Sequence, residues 1–135
     1  MQSKVECGIY FEMSQRPESK FYQKLKQELP ELILTRLENW AVLGTPDILA
    51  YNKNNKFFTI ELKVVRSKKI SISPHQIAFA VQHPINHFFL IAVRSPRSPK
   101  LYGANAIHDL LSLGIETPNA IACDWNAIRL CLYGL

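Results

Sequence analysis

Two apolar runs, 47–51 and 57–65, flank the polar stretch Asn52-Lys-Asn-Asn-Lys56. That pattern predicts a β-hairpin centred on Asn54. In its second strand Phe58, Ile60, Leu62 and Val64 take one face and Thr59, Glu61 and Lys63 the other, because side chains alternate with period 2. Upstream, Phe21, Leu25 and Leu29 recur at i, i+4, i+8. They predict a helix that opens at Pro17, a favoured first helical residue, and ends near Leu29, because Pro30 cannot continue it. Residues 31–38 read as a strand entering a turn at Gly44-Thr-Pro, and weak alternation over 4–12 suggests a short strand or an ordered arm.

Downstream, Ser73 reads as the N-cap of a second helix, Pro74 as its first residue and Gln76 as the reciprocal partner of a capping box. This helix should run to about Gln82 and stop before Pro84. His87-Phe-Phe-Leu-Ile-Ala-Val93 has the continuous apolar character of a strand buried on both faces. Arg94-Ser-Pro-Arg-Ser-Pro-Lys100 reads as a basic, Pro-rich loop with no regular structure. Ala104 to Leu113 looks helical, with Gly114 as a left-handed terminator. Alternation of Ile128, Leu130 and Leu132 against Arg129 and Cys131 suggests a final strand. The order is helix, three strands, helix, strand, then helix and strand, which describes an α/β sheet covered by helices. At 135 residues the expectation is one domain over 1–135, with a core at about 17–93 and a helix-strand extension at about 101–135.

Composition adds a location and a partner class. No apolar run approaches the roughly 18 residues that span a bilayer, and the N-terminus lacks a basic segment followed by an apolar signal core. A soluble, cytoplasmic protein with no membrane partner is expected. Cys7, Cys123 and Cys131 are odd in number and lack Cys-x-x-Cys spacing, so they read as buried free thiols. The net charge is +5, from 16 basic and 11 acidic residues. Its distribution matters more: residues 1–40 carry six charges of each sign, whereas Leu62 to His108 contain no acid. That stretch holds Lys63, Arg66, Lys68, Lys69, Arg94, Arg97 and Lys100, together with all four histidines. An acid-free surface of this kind suits a polyanion.

The candidate chemistry sits where the acids stop. In a hairpin centred on Asn54, residues whose numbers sum to 108 lie opposite one another. Asp47 and Glu61 satisfy that sum, which places their Cβ atoms roughly 5 Å apart on one face. Like charges so placed repel, and two carboxylates with room for waters suit a hard divalent cation such as Mg²⁺. Such an ion would lower the pKa of a bound water and polarise a phosphoryl oxygen, the two requirements of phosphodiester hydrolysis. Lys63, on the same face, would stabilise developing charge or help orient and deprotonate the water. The Leu62 carbonyl would complete the ligand set.

Pro46-Asp47, then Glu61-Leu-Lys63 fourteen residues on, then Gln76 at the start of the next helix, resemble the PD-(D/E)XK nuclease superfamily. Pro-Asp-Ile-Leu-Ala50 and Ile-Ala-Val-Arg94 are similar to Holliday junction resolvases, and Ser73-Pro-His-Gln76 to small phage and replication-repair nucleases. The resemblance implies a restriction-endonuclease-like αβββαβ core with a central mixed sheet flanked by helices. It implies that Asp47 and Glu61 bind the metal, that Lys63 is the catalytic lysine, that Glu18 on the first helix completes the metal shell, and that Gln76 supports Lys63 or a phosphate. A Mg²⁺-dependent DNA endonuclease, with Mn²⁺ able to substitute, acting on branched DNA as a homodimer, is the implied activity. Arg66, Lys68, Lys69, His75, Arg94, Arg97 and Lys100 are the candidate DNA contacts. The rival expectations are a non-catalytic nucleic-acid-binding module, an assembly protein whose basic surface meets an acidic partner, and, among enzymes, an RNA nuclease.

Overall fold

A computed structural model describes residues 17–37 and 44–135. The chain forms α1 (Pro17–Glu28), β1 (Ile33–Arg36), β2 (Ile48–Tyr51), β3 (Phe57–Val65), α2 (Pro74–Gln82), β4 (His87–Val93) and β5 (Ser95–Gly103). A 3₁₀ turn (Ala104–Ala106), α3 (Ile107–Leu113), a second 3₁₀ turn (Gly114–Glu116) and α4 (Trp125–Tyr133) follow. The strands make one sheet in the order β1-β2-β3-β4-β5. It is mixed: β3 and β4 run parallel, and the other neighbours antiparallel. Among the described residues no helix is long and apolar enough to cross a membrane.

Strand alternation decides which helix covers which face. Phe58, Ile60 and Leu62 of β3 and Phe88, Leu90 and Ala92 of β4 pack with Phe21, Tyr22 and Leu25 of α1 and with Trp125, Ile128 and Leu132 of α4. On the other face Phe89 and Ile91 of β4 and Tyr102 of β5 pack with Ala80 of α2 and Ile107 and Leu110 of α3. Because α2 and α3 lie over the β4–β5 side, Ile33 of β1 and Phe57 of β3 stay exposed on that second face. The face carrying Glu61 and Lys63 is therefore open toward β1 and β2.

The hairpin has the expected register, with Ile48 opposite Ile60 and Tyr51 opposite Phe57. Its turn has a second task. The buried Asn52 side chain accepts from the Asn54 and Lys56 backbone N–H groups (3.0 and 3.1 Å) and donates to the Leu132 and Leu135 carbonyls (2.9 and 3.3 Å). Asn54 donates to the Tyr133 carbonyl (3.0 Å). The last carbonyls of a helix have no partner within it, and here two asparagines of a distant turn supply them. Asn52→Ala is expected to cost about 3 kcal/mol, because partly buried donors and acceptors lose their partner on both sides. Urea unfolding monitored by circular dichroism measures this; a loss under about 1 kcal/mol would mean that the turn does not hold α4.

Two expectations are corrected. Residues 94–100 are not an irregular loop: Arg94 is a bend and residues 95–100 are the first part of β5. Lys100, Leu101, Tyr102 and Gly103 pair with Ile91, Leu90, Phe89 and Phe88, and the register shifts between Ile91 and Val93 before Val93 meets Ser95. Prolines 96 and 99 are tolerated because β5 lies at the sheet edge, where a missing N–H need not break a ladder. The C-terminal segment is a helix rather than a strand, so the extension is not helix-strand. Asp124 caps α4 by accepting from Ala127 N–H (2.7 Å), and Trp125, Ile128 and Leu132 form its buried stripe at i, i+3, i+7 while Leu130 is exposed. The apparent alternation arose from two helical positions and one solvent-facing leucine.

Smaller differences concern local chemistry. Of the strand read over 31–38, Ile33–Arg36 forms β1 and residue 38 lies outside the described residues, and the helix read from Ala104 begins as a 3₁₀ turn. Gly114 does adopt positive φ (+62°), and a Cβ there would lie 1.9 Å from the Lys68 carbonyl oxygen, so a second constraint besides conformation demands glycine. Cys123 is exposed and Cys131 half-buried, in place of two buried thiols. Cys7 and the strand or arm read over 4–12 lie outside the described residues.

Candidate active site

Backbone parity in β3 builds the site. Thr59 N–H donates to the Asn86 carbonyl (2.9 Å) and the Val65 carbonyl accepts from Arg94 N–H (2.8 Å), so odd-numbered residues bond toward β4. Even-numbered residues bond toward β2, whose ladder ends at the Ile48–Ile60 pair. One step further the Asp47 carboxylate takes over the role of a ladder carbonyl, and its Oδ2 accepts from Leu62 N–H (2.8 Å). The Leu62 carbonyl points to that same side, as both polar groups of a strand residue do. Asp47 is itself held by its own carbonyl, which accepts from Leu37 N–H (2.8 Å).

Glu61 is almost fully buried, and Lys63 is half-buried two residues along the same face. Gln76, in the first turn of α2, links them. Its Nε2 donates to Glu61 Oε1 (3.0 Å), and its Oε1 accepts from Lys63 Nζ (2.8 Å) and from Ser73 N–H (3.1 Å). The last of these is half of the capping box, completed by Gln76 N–H donating to Ser73 Oγ (3.2 Å). One amide thus fixes the start of a helix and the positions of an acid and a base. The Asp47 loop is pressed against the same turn: Gly44 has φ +82°, and a Cβ there would lie 2.6 Å from the His75 carbonyl oxygen. A turn glycine is legible in Gly-Thr-Pro, but the close approach to His75 is not, because nothing local couples the two segments.

Burial pushes the Glu61 carboxyl up to about 9, helped by the Asp47 charge and a hydrogen bond with Asp47, while Lys63 opposes the shift. Two carboxyls placed this closely form an oxygen-donor set suited to a hard cation, which would relieve their repulsion. Among the described residues no group of three His, Cys, Asp or Glu side chains gathers to hold a metal. Glu18, exposed in the first turn of α1, is accordingly not brought to Asp47 and Glu61, and the available donors are those two carboxylates, the Leu62 carbonyl and water.

The basic residues divide by partner. Lys68 forms an exposed ion pair with Glu116 (2.7 Å), and Lys100 donates to the Ile115 carbonyl (3.2 Å). His75, Lys69 and Arg97 are exposed. Arg66 and Arg94, 28 positions apart, meet at the ends of β3 and β4, where Arg94 Nε donates to the Arg66 carbonyl (3.3 Å).

Fold and site together define an α/β protein in which paired carboxylates and a positioned lysine stand at the open end of a β-hairpin, in a restriction-endonuclease-like fold. Among solved structures the chain is similar to a Holliday junction resolvase of the archaeal hyperthermophile Archaeoglobus fulgidus, with a TM-score of 0.50 and 17% identity, covering 64% of this chain and 75% of that one. At that identity the likeness is one of fold. No protein-family profile and no curated protein matches the sequence.

Proposed function

We propose that this protein is a metal-dependent nuclease that hydrolyses DNA phosphodiesters, acting on branched DNA. The observation that carries this reading is the chain of hydrogen bonds from Glu61 through Gln76 to Lys63, beside an Asp47 carboxylate locked to Leu62. A purely structural sheet has no reason to bury an acid against a second acid, since that costs stability. Asp47 and Glu61, with the Leu62 carbonyl, would hold Mg²⁺, or Mn²⁺ in its place. When bound there, such a cation lowers the pKa of a water and polarises the phosphoryl oxygen.

The protein groups supply the rest. Gln76 holds the Lys63 ammonium by its carbonyl oxygen, so the charge is aimed before substrate arrives, and preorganised charge is worth far more than charge that must first be oriented. Lys63 offsets the negative charge that grows on the phosphoryl oxygens. The basic residues after Glu61, including Lys69, Arg97 and the exposed His75, would contact the phosphate backbone. The sheet face left open beyond β2 gives access to a substrate as wide as a duplex. The resolvase-like fold favours a junction, and because a symmetric junction needs two cuts, a homodimer belongs to the reading.

The test is incubation of the purified chain with end-labelled four-way junction, flap, single-stranded and linear duplex DNA, in Mg²⁺, Mn²⁺ or EDTA. Metal-dependent cutting, with paired nicks on the junction, is the expected outcome. Binding without breakage of any substrate in either metal would leave a nucleic-acid-binding module instead.

A further inference from the structure

Strands β3 and β4 end level, with Val65 opposite Val93, and the next residue of each is an arginine. Arg94 is tied to this end twice: its N–H donates to the Val65 carbonyl and its Nε to the Arg66 carbonyl. It is held there at φ +63°, a conformation unfavourable for a non-glycine residue. Such strain persists where the surroundings impose it, and it gathers at functional positions. An open cleft of about 370 Å³ lies at this end, lined among the described residues by Arg66 and Arg94. Both side chains are exposed, and among the described residues no carboxylate pairs with either. Lys68 and Lys100 nearby do have protein partners.

Two guanidinium groups facing one cleft without a counter-ion repel each other, and both forks match the oxygens of a phosphate. We propose that the cleft between Arg66 and Arg94 is a phosphate-binding site that grips the substrate strand at a fixed distance from Lys63. Arg66 lies three residues beyond Lys63 in the same chain direction, about 10 Å at roughly 3.3 Å per residue. The site therefore registers the strand and sets where it is cut. This inference rests on the nuclease reading for the strand's identity, while the phosphate chemistry follows from the two arginines themselves. The phosphate is either an internal diester or the terminal phosphate of a strand end.

The experiment compares the wild type with Arg66→Gln/Arg94→Gly, and with Arg94→Gly alone, whose backbone suits the left-handed position and which keeps the test open if the double variant fails to fold. Binding to labelled junction and nicked duplex is measured in EDTA over a range of salt, independently of cleavage. The slope of log affinity against log salt is expected to become shallower by about one to two in the double variant and about one in the single variant. Neutral methylphosphonates are then placed one at a time along the strand. A loss at one internal position in the wild type, absent in the variants, identifies an internal diester; a loss on removing a terminal phosphate, absent in the variants, identifies a strand end. An unchanged salt slope, or methylphosphonate losses of equal size in all three proteins, would overturn the proposal. A wild type that binds in this pattern but cuts nothing in metal would remove the nuclease reading and leave the phosphate site standing.

Discussion

Replacing Lys63 with alanine is expected to slow metal-dependent cleavage by about 10²- to 10³-fold, the loss seen when one preorganised electrostatic group is removed from a transition state. The fold should survive, because Lys63 is half-buried and among the described residues its bond is to Gln76, which keeps its bonds to Ser73 and Glu61. DNA binding in EDTA should persist, with a salt slope shallower by no more than about one, because Lys63 is one phosphate-facing charge among many. Gln76→Ala should act through Lys63: it releases the ammonium and removes the capping box, lowering the rate by about 10²-fold and stability by about 1 kcal/mol. Single-turnover cleavage at saturating metal measures both. A Lys63→Ala rate within tenfold of wild type would end the assignment of this lysine to the reaction.

Glu61→Gln should make the metal-free protein more stable at neutral pH while abolishing its activity. With the folded carboxyl at about 9 and the unfolded value at 4.5, the folded state holds a proton that the unfolded state gives up. The associated stability is complete below pH 4.5 and is lost as the pH rises from there toward 9. At about 1.4 kcal/mol per pH unit the loss reaches about 3 kcal/mol at pH 7. A glutamine, the neutral isostere, can accept from Gln76 and donate to Asp47 without that cost. The advantage of the variant should be near zero at pH 4.5 and grow toward pH 8 in EDTA. Mg²⁺ should then raise the stability of the wild type and shrink the gap, since a ligand bound by the native state alone stabilises it. Urea titrations at several pH values, with and without metal, read this out; a variant less stable than wild type at pH 8 in EDTA would contradict the raised Glu61 carboxyl.

The features readable in advance share one property, that their determinants lie close together in the chain. The capping box at Ser73 and Gln76 needs four residues, and α1 needs one buried stripe bounded by two prolines. The hairpin register, and with it the adjacency of Asp47 and Glu61, follows from one polar turn and period-2 alternation. The misreadings at 94–100 and in the C-terminal segment have a common cause. Prolines veto a central strand but not an edge strand, and no local signal states which strand will be at the edge. Likewise, Ile128, Leu130 and Leu132 fit a strand as well as a helix until Asp124 caps the segment and the sheet presents Trp125 and Ile128 with a surface to cover.

By itself, then, the amino-acid sequence determined the elements from α1 to β4, the pairing of the two carboxylates, and the placement of a lysine beside them, because each depends on contacts within a single turn, helix or hairpin. Tertiary structure alone decided that one glutamine would touch Glu61, Lys63 and Ser73 at once, that Asn52 and Asn54 would receive the end of α4, and that Arg66 and Arg94 would face a common cleft. These contacts join segments whose meeting is set by the parallel register of β3 and β4 and by how the helices dock on the sheet. It also decided the proton on Glu61, since a pKa is a property of burial and neighbours, and burial exists only once the sheet is covered.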